Sequence, residues 1–328
     1  MEQTKSISSE NLILFDWLTF TSHSDSPETL MQLLGLHDVP WQKMDRGMNG
    51  YRQRYFFENI SILFDGAENM GVCVNMSGMG CRAFETYSRI SWNDLMEILF
   101  YNSGDYNVTR LDMAYDDHTG ILDIEEIRID TRDRCYVSRA KLSKITESDN
   151  KVMDIRGITV MIGSECSNML IRIYDKAVER GYDDVHWIRV EMQMRNEIAQ
   201  GFISGLMRNP VGIHFRGVLH NYLRYVRDPG TDVNMSRWPM TDYWAELLEG
   251  VEQIRCWSDP GTEYNEFALS NFVINQAGNA IDCYLQIFSM DDLIRELGRR
   301  SVKMSPKYQR LLDKYQYLKR CRQEEVTV

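Results

Sequence analysis

Three segments of the sequence carry polar side chains at every second position, and these side chains could perform chemistry on a phosphate. The polar positions are Arg110, Asp112 and Asp116 in VTRLDMAYDD, where Ala114 interrupts the row, Arg172, Tyr174 and Lys176 in LIRIYDK, and Arg189, Glu191 and Gln193 in WIRVEMQM, where Trp187 shares the same face. Successive side chains of a β-strand point to opposite faces of a sheet. Each segment therefore predicts a strand with one polar row and one apolar row.

The polar rows contain the groups that metal-assisted phosphoryl transfer needs. A hard divalent cation prefers oxygen ligands, which Asp112, Glu191 and Asp116 could provide. Arginine offers a planar fork of donors for phosphate oxygens, and lysine offers a point charge. The non-bridging oxygens could accordingly be held by three cations of the two later strands: Arg172, Arg189 and Lys176.

Tyr174 is the only nucleophile in these rows. A tyrosine hydroxyl has an ordinary pKa of about 10, so it attacks at neutral pH only where positive charge favours the phenolate. Arg172, Lys176 and a bound metal would provide that charge. The alternative interpretation is an ordinary water-facing sheet surface, on which arginine and glutamate form cross-strand pairs.

The surrounding pattern predicts an α+β fold with a largely antiparallel central sheet, a polar catalytic face and helices on the other face. Leu12–Thr21, Tyr55–Phe64 and Gly71–Ser77 are rich in β-formers and predict three further strands. Gly78 and Gly80 follow the third and predict a turn. The short connection Ala177–Asp184 predicts that the second and third polar strands are antiparallel neighbours.

Beyond residue 195 the spacing of apolar residues becomes helical. The predicted helices are Asn196–Arg208, His214–Arg227, Met240–Trp257, Glu263–Ala277 and Tyr308–Arg322. His214 is interpreted as a polar surface or capping group. The predicted organisation is a flexible N-terminus (1–11), a catalytic domain (12–227) and a helical C-terminal region with a basic end (228–328).

Composition and charge limit the function classes. The chain has 328 residues, 43% of them hydrophobic and 26% charged, which predicts a folded protein. It has no apolar run of membrane-spanning length and no secretory signal, so we expect a cytoplasmic protein that does not bind membranes. Its seven cysteines include no C-x-x-C pair, which argues against a disulfide framework or a zinc knuckle.

The net charge of −11 argues against a nucleic-acid partner, but the charge is unevenly distributed. Residues 228–292 contain twelve acidic side chains and two basic ones, whereas residues 295–322 contain ten basic and two acidic ones. A second basic stretch, Arg132–Lys144, includes Arg139 and Lys141. Such runs indicate either polyanion contacts or a solvated helix face.

Three blocks of sequence, in this order, resemble the signature blocks of the replication initiation factor family. They are RLDMAYDD (Arg110–Asp117), IRIYDKAVERG (Ile171–Gly181) and WIRVEMQMRNEIA (Trp187–Ala199). FDWLTFT and MSGMGCRAFE resemble two weaker family segments. The family comprises rolling-circle initiators of Gram-positive plasmids, related phage proteins and relaxases of integrative conjugative elements.

The resemblance implies that Tyr174 attacks a phosphodiester at an origin, forming a 5′-phosphotyrosyl link and a free 3′-hydroxyl that primes synthesis. It also implies that Asp112, Asp116 and Glu191 hold Mg²⁺ or Mn²⁺. The expected partners are single-stranded or extruded origin DNA and a host helicase, while a homodimer is left open. Residues predicted to contact DNA are Trp187, Arg110, Arg139, Lys141 and Lys144.

Two alternatives remain open from the sequence. A metal-dependent hydrolytic nuclease would use water in place of the tyrosine and would leave no protein on the DNA. A DNA-binding or assembly protein without catalysis would use the polar rows only as paired charges. The histidine–hydrophobic–histidine motif of other nicking enzymes is absent from the sequence, which agrees with carboxylate ligation of the metal.

Overall fold

The computed structural model describes residues 11–149, 156–182, 184–250, 278–299 and 312. By its internal contacts the chain divides into two compact units, residues 1–258 and 259–328. The predicted division into a catalytic domain (12–227) and a helical C-terminal region (228–328) stays a prediction. The predicted helices Glu263–Ala277 and Tyr308–Arg322 lie outside the described residues, apart from Leu312.

Within the described residues, the first unit is built on a ten-stranded sheet. Its strands are β1 (Leu12–Ser22), β2 (Gln42–Met44), β3 (Gln53–Phe57), β4 (Ile60–Phe64), β5 (Val72–Met76), β6 (Tyr106–Asp117), β8 (Ser143–Asp149), β9 (Arg156–Ile162), β10 (Met169–Asp175) and β11 (Ile188–Arg195). Their order in the sheet is β2-β3-β4-β5-β1-β6-β11-β10-β9-β8, and every pair of neighbours is antiparallel. A separate two-stranded sheet pairs β7 (Tyr136–Ser138) with β12 (Leu223–Tyr225).

The described helices of the first unit are α1 (Pro27–Leu33), α2 (Gly78–Tyr87), α3 (Trp92–Tyr101), α4 (Ile124–Arg132), α5 (Lys176–Arg180), α6 (Asn196–Leu206), α7 (Val211–Tyr222) and α8 (Asp242–Leu248), with a 3₁₀ turn at Met235–Arg237. In the second unit the described helices are α9 (Gly278–Ile287) and α10 (Met290–Arg299). Among the described residues, no helix has the length and apolar character needed to cross a membrane.

The central strands alternate as the sequence predicts. Ile171 and Ile173 of β10 and Val190 and Met192 of β11 are buried in the main hydrophobic core. Helices α4 and α6 contact these central strands. The α+β class with a largely antiparallel sheet is therefore confirmed, and one face of the sheet is left for the polar rows.

The segment Tyr55–Phe64, predicted as one strand, is instead the tight hairpin of β3 and β4. Its two turn residues, Glu58 and Asn59, have positive φ angles of 43° and 66°. Two-residue hairpins favour this left-handed backbone because its twist matches that of the strands. The turn was missed because Glu-Asn is a weaker signal than Asn-Gly or Asp-Gly.

The predicted turn at Gly78 and Gly80 is also corrected, because both glycines lie in the first turn of α2. A Cβ atom at Gly80 would lie 2.4 Å from the carbonyl oxygen of Asn59. The glycine therefore lets α2 approach the β3–β4 hairpin closely. The connection between β10 and β11 is the expected antiparallel one, but it contains the short helix α5.

His214, predicted on the surface, is 1% exposed. Its Nε2 lies 3.0 Å from the carbonyl oxygen of Phe202, and a Cβ at Gly205 would lie only 2.0 Å from the imidazole ring. Burial lowers the pKa of His214 from 6.5 to about 4. The missing side chain of Gly205 thus makes room for a neutral, buried imidazole between α6 and α7.

The lowered pKa of His214 predicts that the free energy of unfolding decreases as the pH falls. The folded pKa lies below the unfolded one, so the contribution of His214 is complete above pH 6.5 and is lost as the pH falls towards 4. Between pH 7 and 4.5 we expect the free energy of unfolding to fall by up to about 3 kcal/mol through this group. Urea unfolding of the wild type and His214→Gln checks this, since the variant should show a smaller fall. Equal slopes would contradict it.

Candidate active site

The register of three neighbouring strands brings the predicted rows side by side. Tyr174 of β10 is opposite Arg189 of β11, and Arg189 is opposite Asp116 of β6. Two residues further along the same two strands, Arg172 is opposite Glu191. Directly opposed residues point to the same face of a sheet. The tyrosine, its neighbouring cations and two of the predicted acids therefore share one surface.

The Tyr174 hydroxyl lies between a carboxylate and an ammonium group. It donates a hydrogen bond to Glu191 Oε2 at 3.2 Å, and Lys176 Nζ lies 3.4 Å from the phenol oxygen. Glu191 is also ion-paired with Arg172, and Lys176 with Glu179 at 2.8 Å. The Tyr174 oxygen thus has both a proton acceptor and a cation within reach.

The pKa of Tyr174 is raised above its ordinary value of 10.0. Burial is the main cause, and the Glu191 carboxylate adds to it, while Arg189 opposes both. The net effect of burial and of the neighbouring charges is therefore to favour the protonated phenol. Glu191, which accepts the hydrogen bond of this hydroxyl, is in place to take its proton.

Arg189 is 6% exposed and joins two strands through its guanidinium. Nε and Nη2 donate to the two carboxylate oxygens of Asp116 at 2.6 and 2.7 Å, and Nη1 donates to Asp16 Oδ1 at 3.0 Å. Hydrogen bonds of this two-pronged kind fix geometry as well as charge. In this arrangement the donors of Arg189 are directed at carboxylates.

Asp16 is a site residue that the sequence reasoning missed. It lies at an irregularity in the pairing of β1 with β6, between Phe15 and Trp17. Such bulges redirect a side chain. A Cβ at Gly78 would lie 2.9 Å from Asp16 Oδ1, so the glycine leaves room for this carboxylate. The available signal was a single acid within the apolar run LILFDWLTF.

Asp112 lies on the same face, on the other side of Ala114 from Asp116. Arg110 Nε donates to Asp112 Oδ1 at 3.0 Å and Nη2 to Oδ2 at 2.5 Å, and the guanidinium carbon lies 4.0 Å from the centre of the Trp17 ring. Burial raises the pKa of Asp112 to about 7, and the Glu191 carboxylate adds to the rise, while Arg110 opposes it. The negative charges of Asp112 and Glu191 therefore repel each other across the sheet face.

The carboxylates supply the oxygen donors that Mg²⁺ and Mn²⁺ prefer. Asp112 is paired with Arg110, Glu191 with Arg172, and Asp116 with Arg189. Within the described part of the chain, no group of three or more histidine, cysteine, aspartate or glutamate side chains is arranged to hold a metal ion. The donor chemistry of Asp112 and Glu191 fits a divalent cation, provided that their arginine partners move aside.

Lys144, one of the basic residues predicted to contact DNA, lies on the face of the sheet that carries Tyr174. It is opposite Met161, which is opposite Arg172, so it lies two strands from Arg172, or about 10 Å. Arg139 and Lys141 are exposed in the segment between β7 and β8. The structure does not bring these two into the cluster around Tyr174.

Trp187 immediately precedes β11, on the face that carries Arg189. Its ring centre lies 5.9 Å from the guanidinium carbon of Arg189 and 5.3 Å from the ring of His118. Its carbonyl oxygen accepts a hydrogen bond from the backbone N–H of Lys176 at 2.8 Å. This tryptophan is thus part of the surface that borders Tyr174.

The polar face thus carries a tyrosine flanked by cations and acids, and comparison with known proteins specifies the class of the protein. Residues 106–297 match the family described as replication initiation factor, and residues 12–99 match the N-terminal domain of rolling-circle replication initiation proteins. The chain belongs to the replication initiation factor family. The known mechanism of these rolling-circle initiators and relaxases is tyrosine transesterification, and they generally use divalent metal ions.

Two relatives support this assignment. The putative DNA relaxase NicK of Bacillus subtilis (strain 168) is 23% identical over 335 residues, which cover 96% of this chain and 92% of the relative. The structure of a rolling-circle replication initiator protein from Geobacillus stearothermophilus is 29% identical, with a TM-score of 0.68. It covers 76% of this chain and 99% of its own. The family resemblance inferred from the sequence is confirmed.

Proposed function

We propose that this protein nicks one DNA strand at an origin by attack of Tyr174 Oη on a phosphodiester. The position of that oxygen carries the proposal: it lies 3.2 Å from Glu191 Oε2 and 3.4 Å from Lys176 Nζ on the polar face. The product would be a 5′-phosphotyrosyl link and a free 3′-hydroxyl that primes synthesis. The substrate would be single-stranded or extruded DNA, because the attacked phosphate must reach a half-buried tyrosine.

The proposed step balances without an external energy source. The Tyr174 oxygen forms a bond to phosphorus, its proton passes to Glu191, and the bond from phosphorus to the 3′ oxygen breaks. The departing 3′ oxygen takes up a proton from solvent. Because one phosphate ester replaces another, the reverse reaction can rejoin the strand without ATP.

The cations have different parts in this proposal. Arg172 and Lys176 are the cations near the tyrosine that can turn towards the non-bridging phosphate oxygens. Each is ion-paired with one carboxylate, Glu191 or Glu179, and a DNA phosphate can take the place of that carboxylate. Arg189 is a positioning residue, since its guanidinium holds Asp116 and Asp16. Its contribution is to keep β1, β6 and β11 in the alignment that presents Tyr174.

We propose that Asp112 and Glu191 Oε1, the oxygen that Arg172 contacts, hold the divalent cation, Mg²⁺ or Mn²⁺, which leaves Glu191 Oε2 to take the proton of Tyr174. When bound, the ion would supply positive charge to the phosphate and to the developing phenolate. Release of Arg110 and Arg172 from these carboxylates would accompany binding. Asp116 is a weaker candidate because its partner Arg189 is buried and is also held by Asp16, whereas Arg110 and Arg172 are partly exposed.

Metal dependence is tested by activity and by binding. We expect EDTA to stop nicking, and Glu191→Gln to lower the nicking rate by roughly 100-fold or more, since a lost acid–base group alone costs about 10²–10⁴-fold. Asp112→Asn, which removes a proposed metal ligand, should lower the rate as well. Titration of DNA-free protein with Mn²⁺, followed by electron paramagnetic resonance, should show weakened binding in both variants. Glu147→Gln, at an exposed residue of β8, is the matched control. Unchanged Mn²⁺ binding in both variants would contradict the ligand assignment.

The reaction type is tested with a supercoiled plasmid that carries the gene and its flanking DNA. Transesterification should leave protein on the 5′ end of the nicked strand, visible as a shifted band on a denaturing gel. A hydrolytic nuclease would leave a free 5′-phosphate. A protein without catalysis would leave the plasmid supercoiled, and either of these results would overturn the proposal.

The wider setting follows from family membership. We propose a cytoplasmic location, a host helicase that extends the opened strand, and a second copy of this chain as candidate partner. The basic end predicted at residues 295–322 lies mostly outside the described residues, although Arg295 and Arg299 are ion-paired within α10. Backbone contacts to DNA are therefore assigned first to Lys144, Arg110 and the exposed Arg139 and Lys141.

A further inference from the structure

Three aromatic rings, those of His118, Trp187 and Tyr182, lie side by side next to Tyr174. We propose that this aromatic cluster holds and reads one unpaired base of the DNA strand beside the attacked phosphate. The inference rests on the proposed nicking function, since it identifies part of that site's substrate. It goes further because it assigns base recognition to side chains that the nicking chemistry does not use.

Strand register explains why the cluster forms here. Asp116 of β6 is opposite Arg189 of β11, so the continuation of both strands by two residues places His118 beside Trp187 on the same face. The two rings are 5.3 Å apart. Tyr182 follows α5, is 46% exposed, and stacks nearly parallel to Trp187 with ring centres 6.4 Å apart and an angle of 22°. The cluster thus has a buried side and a side open to solvent.

The cluster leaves two ring nitrogens without partners. Trp187 Nε1 and His118 Nδ1 are both buried atoms, and neither has a hydrogen-bond partner in the described structure. Buried polar atoms are usually satisfied, because an unpartnered one forfeits its hydrogen bonds to water. Two such atoms on neighbouring rings would gain hydrogen bonds from a ligand that shifts a ring of the cluster and offers both a flat face and a hydrogen-bonding edge.

A nucleobase has this combination, whereas a bare phosphate does not. Base–aromatic stacking is a general means of holding single-stranded DNA. Indole Nε1–H can only donate, so it favours a base with an acceptor at that edge, while His118 Nδ1 donates or accepts according to its tautomer. Phosphate groups would be drawn instead to Lys176 and Arg172.

The location links the cluster to the reaction. Trp187 lies two residues before Arg189, and Arg189 is opposite Tyr174 on the neighbouring strand. Two residues of a strand span about 7 Å, so the cluster is displaced from Tyr174 by about 7 Å along the strand direction. The backbone N–H of Lys176 donates to the Trp187 carbonyl at 2.8 Å and fixes the two strands there. A base held in the cluster would therefore position the adjoining phosphate near Tyr174.

The test measures equilibrium binding in a Tyr174→Phe background, so no cleavage takes part. Fluorescein-labelled oligonucleotides of dT, dC and dA, and an abasic oligonucleotide of the same length and charge, are titrated and followed by anisotropy. We expect at least one base-containing oligonucleotide to bind on the order of 10-fold more tightly than the abasic one. Trp187→Ala should remove that preference.

Two conservative variants separate recognition of the base through hydrogen bonds from stacking on the aromatic ring. Trp187→Phe and His118→Phe keep an aromatic face but lose a ring nitrogen, so each should reduce discrimination among dT, dC and dA while preserving preference over the abasic strand. Tyr101→Ala, at an exposed tyrosine at the far end of α3, is the control and should leave all affinities unchanged. Thermal unfolding of each variant verifies that it is folded.

Equal binding of abasic and base-containing strands by the parent, or undiminished base preference in folded Trp187→Ala, would overturn the proposal. Unchanged discrimination in both phenylalanine variants would overturn its reading component. These outcomes are independent of nicking. A protein that forms no covalent adduct yet binds bases through Trp187 would refute the nicking function and not the cluster as a base-binding site.

Discussion

Replacement of Tyr174 by phenylalanine is expected to abolish the covalent protein–DNA adduct and to lower nicking by roughly 1,000-fold or more, as removal of a covalent nucleophile does in other enzymes. The variant lacks only the oxygen that lies between Glu191 and Lys176. The ring remains, so the strand should pack as before. Supercoiled plasmid carrying the gene and its flanks, incubated with Mn²⁺, provides the measurement.

The controls for this variant separate chemistry from folding and binding. Tyr87→Phe removes the hydroxyl of an exposed tyrosine in α2 and should nick at the wild-type rate. Single-stranded DNA affinity of Tyr174→Phe should stay within a few-fold of the wild type, because the basic residues and Trp187 are unchanged. An adduct of undiminished yield would refute the assignment of Tyr174 as nucleophile.

Replacement of Arg189 by methionine is expected to lower the free energy of unfolding by about 3–5 kcal/mol, the usual cost of breaking a buried ion pair from one side. Arg189 neutralises both Asp116, which is 2% exposed, and Asp16. Without it, two carboxylates remain on a mostly buried surface. Urea unfolding at pH 7, monitored by circular dichroism, gives the difference.

The matched control is Arg52→Met. The Arg52 side chain is 78% exposed and lies 3.7 Å from Asp65, so its loss should change stability by less than about 1 kcal/mol. Adding Asp116→Asn to Arg189→Met should recover part of the lost stability, because one unpaired charge is removed. A cost for Arg189→Met no greater than that of Arg52→Met would show that Arg189 does not hold the strands together.

Much of the site was predictable because strand periodicity is a local property of sequence. The alternation in three segments is enough to place Tyr174, Arg172 and Glu191 on one face, and the short connection after Lys176 predicts the antiparallel pairing that joins them. No knowledge of distant contacts is required for this step. The convergence of Asp112 from a separate segment needed the family resemblance in addition.

Other features depend on three-dimensional context that local patterns do not contain. Asp16 reaches the site through an irregularity in strand pairing, which has no reliable sequence signature. His214 is buried because Gly205, nine residues earlier, leaves room for its ring. The pKa of Tyr174 depends on burial and on Glu191 together, and the degree of burial is not visible in the local sequence pattern.

The most direct test of the account is to locate the amino acid that becomes bonded to DNA. After reaction, the protein is digested with nuclease and trypsin and the nucleotide-bearing peptide is sequenced by mass spectrometry. We predict that the phosphodiester fragment is on Tyr174, within the tryptic peptide Ile173–Lys176. Attachment to any other of the 17 tyrosines, or nicked DNA with no attached peptide, would contradict it.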